Sequence, residues 1–230
     1  MIVNEIITII IAVVGGYLLG SIPSAYIAVR LIKGKDIRQM GGGNVGGRNA
    51  FQQAGWGAGV AVGIFDVSKG AAAVAIAQWL LNVPLGAITI AQYSLGAPEN
   101  FVLLAGLAAI AGHIWSVYLK FTGGNGLATT IGVLAVLMPR EILITLAITL
   151  ILIIITRNPV LSINIGLLSV PLSTWLLEKS GLEVAFTIVI LLMLVLHFMP
   201  TAATAVANAG SKQKLLNELL RRDKHKRGER

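Results

Sequence analysis

Long apolar stretches separated by short polar breaks govern this chain. They run about 6–29, 55–81, 100–119, 126–138, 142–156, 159–177 and 183–199. A hydrocarbon core of roughly 30 Å needs about 20 apolar residues in a helix. The longer stretches meet that length, and the shorter ones fit as tilted helices. The weakest, Gly126–Met138, reads as a tilted short helix or a re-entrant piece. Lipid offers the backbone no hydrogen-bond partners, so spanning segments with this apolar pattern fold as helices. The expected fold is an all-α polytopic membrane protein with about seven spans, and five at the fewest. Residues 1–200 are expected to form one integral-membrane domain and residues 201–230 a basic cytoplasmic tail.

Composition agrees. Of 230 residues, 56% are apolar and 12% charged, with a mean hydropathy of +0.82. A soluble chain carries roughly 25% charged residues. A soluble enzyme, a disordered regulator and a nucleic-acid module are therefore poor readings. Cysteine is absent, which removes disulfides, thiolate metal sites and a cysteine nucleophile. The first apolar run follows Glu5 rather than a basic segment, so it is expected to stay in the membrane.

The net charge is +8, from 18 basic and 10 acidic residues. Arg30, Lys33, Lys35, Arg38 and Arg48 lie between the first two stretches. Lys120 follows the third and Arg157 the fifth. Lys212, Lys214, Arg221, Arg222, Lys224, Lys226, Arg227 and Arg230 fill the tail. Only Arg140 and Lys179 fall on the opposite side, and Lys69 lies within the second stretch. Basic residues mark the cytoplasmic face. The expected orientation puts the N-terminus outside, with the tail and the basic loops in the cytoplasm. Leu215, Leu216, Leu219 and Leu220 share one helical face in Ser211–Arg222. The tail reads either as a solvated basic segment or as an amphipathic helix on anionic inner-leaflet lipids.

Two glycine-rich loops carry the chemistry. Gly41, Gly42, Gly43, Gly46 and Gly47 surround Asn44 and precede Arg48 and Asn49. Gly123, Gly124, Asn125 and Gly126 lead into Leu127-Ala-Thr-Thr. Glycine admits left-handed backbone and close approach of a ligand. Successive exposed N–H groups make an anion-binding concavity, which a following helix N-terminus strengthens. Arg48 offers a charge-assisted bond to phosphate, and Asn44 and Asn49 offer neutral donors. Two flexible turns are the alternative. Asp66 and Lys69 are three apart inside a span, where charges are paired or functional. They read as a structural ion pair near a kink at Gly70 or as ligand contacts. His113 and His197 end the third and seventh stretches on the cytoplasmic side, with Trp115 and Tyr118 as interface residues. No Asp follows either histidine four residues on.

Five segments in order carry a resemblance: Gly20-Ser-Ile-Pro-Ser24; Asp36 through Asn49; Asp66-Val-Ser-Lys-Gly70; Gly112-His113; and Gly123-Gly-Asn-Gly-Leu-Ala-Thr129. Over residues 15–135 the chain resembles the bacterial acyl-phosphate-dependent glycerol-3-phosphate acyltransferases, small multi-span inner-membrane enzymes. The resemblance implies acyl transfer from acyl phosphate to the 1-hydroxyl of glycerol 3-phosphate, giving lysophosphatidate, with no cofactor and no metal. Catalytic roles are expected for Asn44, Asn49 and His113 from the resemblance, and for Arg48 and Asn125 from their own place in the two glycine loops. The resemblance implies substrate contacts from Gly41, Gly42, Gly43, Gly46, Gly47, Asp66, Lys69, Gly123, Gly124, Gly126 and His197. This chain has Gly42, Arg48, Gln52 and Asn125 where the family usually has Ser, Thr, Arg and Lys, and no Asn stands near His197. A member that binds a phosphorylated lipid or regulates a catalytic paralogue is a second expectation. A small transporter of anionic solutes is a third. Expected partners are the two substrates, anionic lipids and the enzyme that makes acyl phosphate, with no nucleic acid.

Overall fold

The computed structural model describes residues 2–84, 98–157, 159–177 and 180–209. They form nine α-helices: α1 Ile2–Ser21, α2 Ser24–Lys33, α3 Gly47–Ala54, α4 Trp56–Leu80, α5 Pro98–Ile114, α6 Leu127–Leu137, α7 Pro139–Thr156, α8 Pro159–Leu176 and α9 Gly181–Ala209. Two 3-10 turns, Ile37–Gln39 and Val117–Leu119, lie in the loops, and no strand occurs among the described residues. Each expected apolar stretch is occupied by a helix. Four segments are long and apolar enough to cross a membrane: Val3–Lys33, Trp56–Leu80, Pro98–Leu119 and Pro139–Thr156. Leu127–Leu137, Leu161–Leu176 and Gly181–His197 are apolar but shorter. The fold is an all-helical membrane protein.

Small residues set how the helices approach. Between helices in lipid the hydrophobic effect is weak, so close van der Waals contact drives association. Gly16 and Gly20 on α1 face Ala105 and Ala109 on α5, and Gly112 faces the Tyr17 carbonyl. A Cβ at Gly20 would collide with the Ala109 carbonyl. The α4–α6 contact repeats the device: Gly70 packs on the Thr129 backbone and Gly132 on that of Val67. Val74, Val102, Ile110, Val133 and Leu134 are fully buried in the core these helices enclose. Ile6, Ile10, Leu150 and Ile154 are exposed, as lipid-facing side chains of a membrane helix are.

Four departures from the sequence expectation have local causes. The first stretch is broken at Ile22–Pro23 into α1 and α2. Proline has no N–H to continue the helix and disfavours helical geometry in the residue before it. The third stretch leaves helix after Ile114, and left-handed Lys120 and Phe121 (φ 57° and 60°) turn the chain into the second glycine loop. The helix α3, absent from the sequence reading, follows the first glycine loop directly. At the last stretch, Ser180 and Glu183 form a reciprocal cap. The Ser180 N–H donates to Glu183 Oε2 at 2.9 Å, and the Glu183 N–H donates to Ser180 Oγ at 3.3 Å. This capping box starts α9 at Gly181. That helix runs on to Ala209. The expected amphipathic stretch Ser211–Arg222 lies outside the described residues.

Candidate active site

Both glycine loops lie at one end of the bundle and touch. The Val45 N–H donates to the Gly123 carbonyl at 3.4 Å. Each loop opens into a helix. Gly46 precedes α3, and Gly126, left-handed at φ 81°, precedes α6. The free N–H groups of two helix N-termini thus converge on one region, with the positive ends of two helix dipoles. Gly41 and Gly43 also have positive φ, 56° and 72°, which a side chain would strain. Gly42 has open space around it.

A loop of glycines has few side chains to hold its own shape. Asn49 does this from the first turns of α3. Its side-chain amide donates to the carbonyls of Asn44 at 2.9 Å and Met40 at 3.0 Å, with that of Ile37 at 3.4 Å. Asn49 is buried, and its donor capacity is occupied by the loop backbone. Arg48, one position earlier, is exposed, as are Gln52 and Asn125, while Asn44 is half-buried. Beside the loop, Arg38 grips Asp36 at 2.6 Å. The hydrogen bonds from Arg38 hold the Asp36 carboxyl below the usual carboxylate range, and the Arg38 guanidinium is raised in turn.

The second loop rests on His113. The Gly124 N–H donates to the His113 carbonyl at 3.1 Å. A Cβ at Gly124 would collide with the His113 ring at Nε2, and one at Gly123 with the His113 carbonyl. His113 is buried, with Nδ1 3.5 Å from Asp66 Oδ1. The same carboxylate oxygen pairs with Lys69 Nζ at 2.8 Å and accepts from Ser24 Oγ at 2.7 Å. Lys69 also donates to the Ile22 carbonyl at 2.9 Å, and Ser116 Oγ donates to the Ser21 carbonyl at 2.5 Å. Asp66 and Lys69, expected as substrate contacts, are thus buried and bonded to the α1–α2 break. The kink they hold is that break rather than one at Gly70. A cavity of about 10 Å³, room for about one water molecule, lies between Ser21–Ser24, Val45, Lys69, His113, Ser116 and the Gly123–Gly124 loop.

His197 reaches the same end from α9. Its ring meets Trp115 edge-on, with centroids 6.2 Å apart, and Leu194, one turn earlier, packs against Gly126. The structure therefore gathers Gly41–Asn49, His113, Gly123–Gly126 and His197 at one end, with Asp66 and Lys69 beneath them. Sequence reasoning missed Ser24 and Ser116 as polar partners. For Ser116 the signal was the Pro23 break, beside which backbone carbonyls need side-chain donors, whereas Ser24 donates to the Asp66 carboxylate.

The sequence pattern of the glycerol-3-phosphate acyltransferase family matches residues 10–206. The chain belongs to that family. Glycerol-3-phosphate acyltransferase 1 of Dehalococcoides mccartyi (strain ATCC BAA-2266 / KCTC 15142 / 195) is 39% identical over 189 residues, covering 80% of this chain and 84% of its own. Glycerol-3-phosphate acyltransferase 2 of the same strain is also 39% identical, over 208 residues, covering 90% and 92%. Among solved structures, the glycerol 3-phosphate form of PlsY, an integral membrane glycerol 3-phosphate acyltransferase, superposes with a TM-score of 0.73 at 26% identity. That match covers 87% of this chain and 92% of the other. As a glycerol-3-phosphate acyltransferase of this family, the chain is a membrane-embedded enzyme that acylates glycerol 3-phosphate.

Proposed function

We propose that the acyl donor is acyl phosphate and the product lysophosphatidate, made on the cytoplasmic side of the cell's inner membrane. The contact that carries the reading is Val45 to Gly123, which holds two anion-binding glycine loops side by side. A reaction between two phosphate-bearing substrates needs two such places at one site. The acceptor's 1-hydroxyl oxygen attacks the acyl carbonyl carbon. The carbon–oxygen bond to phosphate breaks, phosphate leaves, and the hydroxyl proton passes to a substrate phosphate oxygen. Acyl phosphate is a mixed anhydride with a good leaving group, so no protein nucleophile is required. Positioning and neutralisation of phosphate supply the catalysis.

In this scheme Arg48, Asn44 and Asn125 contact phosphate together with the backbone N–H groups of Gly41, Gly42, Gly46, Gly47, Gly123 and Gly126, while the N–H groups of Gly43 and Gly124 hold the loops by bonding the Met40 and His113 carbonyls. His113 and His197 border the second loop. Asn49, Asp66 and Lys69 act as positioning residues. Soluble partners are glycerol 3-phosphate and the enzyme that supplies acyl phosphate, and the basic tail contacts anionic lipid. Purified protein given acyl phosphate and glycerol 3-phosphate should form lysophosphatidate, and with acyl-CoA alone should form none. Turnover on acyl-CoA with acyl phosphate absent overturns the donor assignment.

Two observations favour a second reading. Gln52 and Asn125 stand where the resemblance places two cations, and numbered relatives 1 and 2 occur within one strain. A well-folded preparation inactive with either donor would support a phospholipid-binding or paralogue-regulating role.

A further inference from the structure

The α2 helix and the loop after it border an open cleft of about 570 Å³ lined by Tyr26, Arg30, Gly34, Lys35, Asp36, Gln39 and Met40. It is separate from the glycine-loop cavity. The helix α1 has 20 residues, which at 1.5 Å per residue already extends about 30 Å, the thickness of the hydrocarbon core. The ten residues of α2 complete the apolar segment Val3–Lys33, and its cationic last turn puts that end of α2 at the membrane–water boundary. Their character fits that depth. Ala25 and Val29 are buried against the protein, whereas Ile27, Leu31 and Ile32 are 44%, 81% and 54% exposed. The cations gather at the helix C-terminal end, with Arg30 and Lys33 in its last turn and Lys35 just beyond. The acid that lines the cleft, Asp36, is already neutralised by Arg38 at 2.6 Å. Arg30 bonds the Gly34 carbonyl through one nitrogen at 2.9 Å, which leaves further N–H donors of its five.

We propose that this cleft holds the phosphate head group of an anionic phospholipid of the same leaflet, with Arg30 and Lys35 on the phosphate and the acyl chains beside Leu31 and Ile32. Charge complementarity selects phosphate, and the exposed apolar residues at the boundary select a lipid over a soluble ester. The site is distinct from the tail and does not depend on the acyl donor.

Native mass spectrometry of the detergent-purified full chain, titrated with phosphatidylglycerol or phosphatidylcholine, tests it. One phosphatidylglycerol should be retained in preference to phosphatidylcholine. Lys35→Gln, at an exposed residue, should weaken that retention about tenfold, the equivalent of one charge-assisted bond. Arg30→Gln should weaken it as much, and Arg157→Gln, on another loop, should not. Equal retention of the two lipids overturns the proposal, as does unchanged retention in Lys35→Gln or an equal loss in Arg157→Gln. Displacement of phosphatidylglycerol by millimolar glycerol 3-phosphate also overturns it, because the occupant is then a soluble ester.

Discussion

The Lys69 ammonium donates to the carbonyl of Ile22, 47 positions earlier, at 2.9 Å. Ile22 sits where Pro23 ends α1, so its carbonyl has lost its helical partner. The Ser24 N–H at 3.1 Å and the lysine share that carbonyl, and Asp66 balances the lysine's charge at 2.8 Å. A buried ion pair here serves backbone repair at a helix break. Removing one member leaves an uncompensated buried charge, which costs about 3–5 kcal/mol. Asp66→Asn and Lys69→Met should each lower the unfolding temperature in detergent sharply. The double variant Asp66→Asn with Lys69→Met should regain part of the loss. If both single variants melt like the parent, the pair does not hold the break.

Helix approach gives a second prediction. Gly20→Leu would drive a side chain into the Ala109 backbone, whereas a Cβ added at Gly15 would meet nothing within 4 Å. Overpacking costs roughly 1–3 kcal/mol or more. Gly20→Leu should be poorly folded and Gly15→Leu near parental in stability, read by thermal unfolding. Equal behaviour of the two would contradict the α1–α5 contact.

The phosphate site gives a third. A hydrogen bond to a charged group contributes about 1.5–3 kcal/mol. Arg48→Ala should therefore lower kcat/KM about 10–150-fold at ~1.4 kcal/mol per decade. Arg48→Lys should recover only part, because lysine lacks the planar fork. Asn125→Lys should leave activity unchanged or raise it. An unaltered kcat/KM in Arg48→Ala removes Arg48 from the site.

Orientation gives a fourth, and the lack of native cysteine makes it clean. Gly42 has open space for a side chain, and Ser180 stands at the start of α9, at the end opposite the glycine loops. In intact cells an impermeant thiol reagent should label Ser180→Cys and spare Gly42→Cys. Labelling at Gly42 would put the glycine loops outside and move the site with them.

The Asp36–Arg38 pair gives the last. The Arg38 hydrogen bonds lower the Asp36 carboxyl from its ordinary value. A lowered carboxyl stabilises the folded loop above its unfolded value, near 3.9, and that contribution is lost as pH falls through the folded value. The pair faces solvent, so the effect is small. Amide exchange in residues 36–40 should quicken below about pH 4, relative to its intrinsic rate, and Asp36→Asn should abolish that acid limb. An identical limb in Asp36→Asn would exclude the pair as its cause.

Among the described residues hydropathy alone located the apolar helices, because burial in lipid acts on composition over some 20 residues at a time. The glycine clusters marked the loops for a similarly local reason, since only glycine takes Gly41 and Gly43 to positive φ without strain. The sequence also named His113, His197, Asp66 and Lys69, but left their use open. Only the tertiary structure joined Val45 to Gly123, carried Lys69 to Ile22 and set His197 against Trp115. Those pairings span tens of residues, and helix packing through Gly20, Gly70 and Gly132 brings them about. Asn49 shows the same division. Its residue type suited a phosphate donor, yet three backbone carbonyls close around its amide once the loop folds over α3. Local pattern determines which segments enter the membrane and where the chain can bend. Which polar group meets which freed carbonyl is decided only when the helices pack.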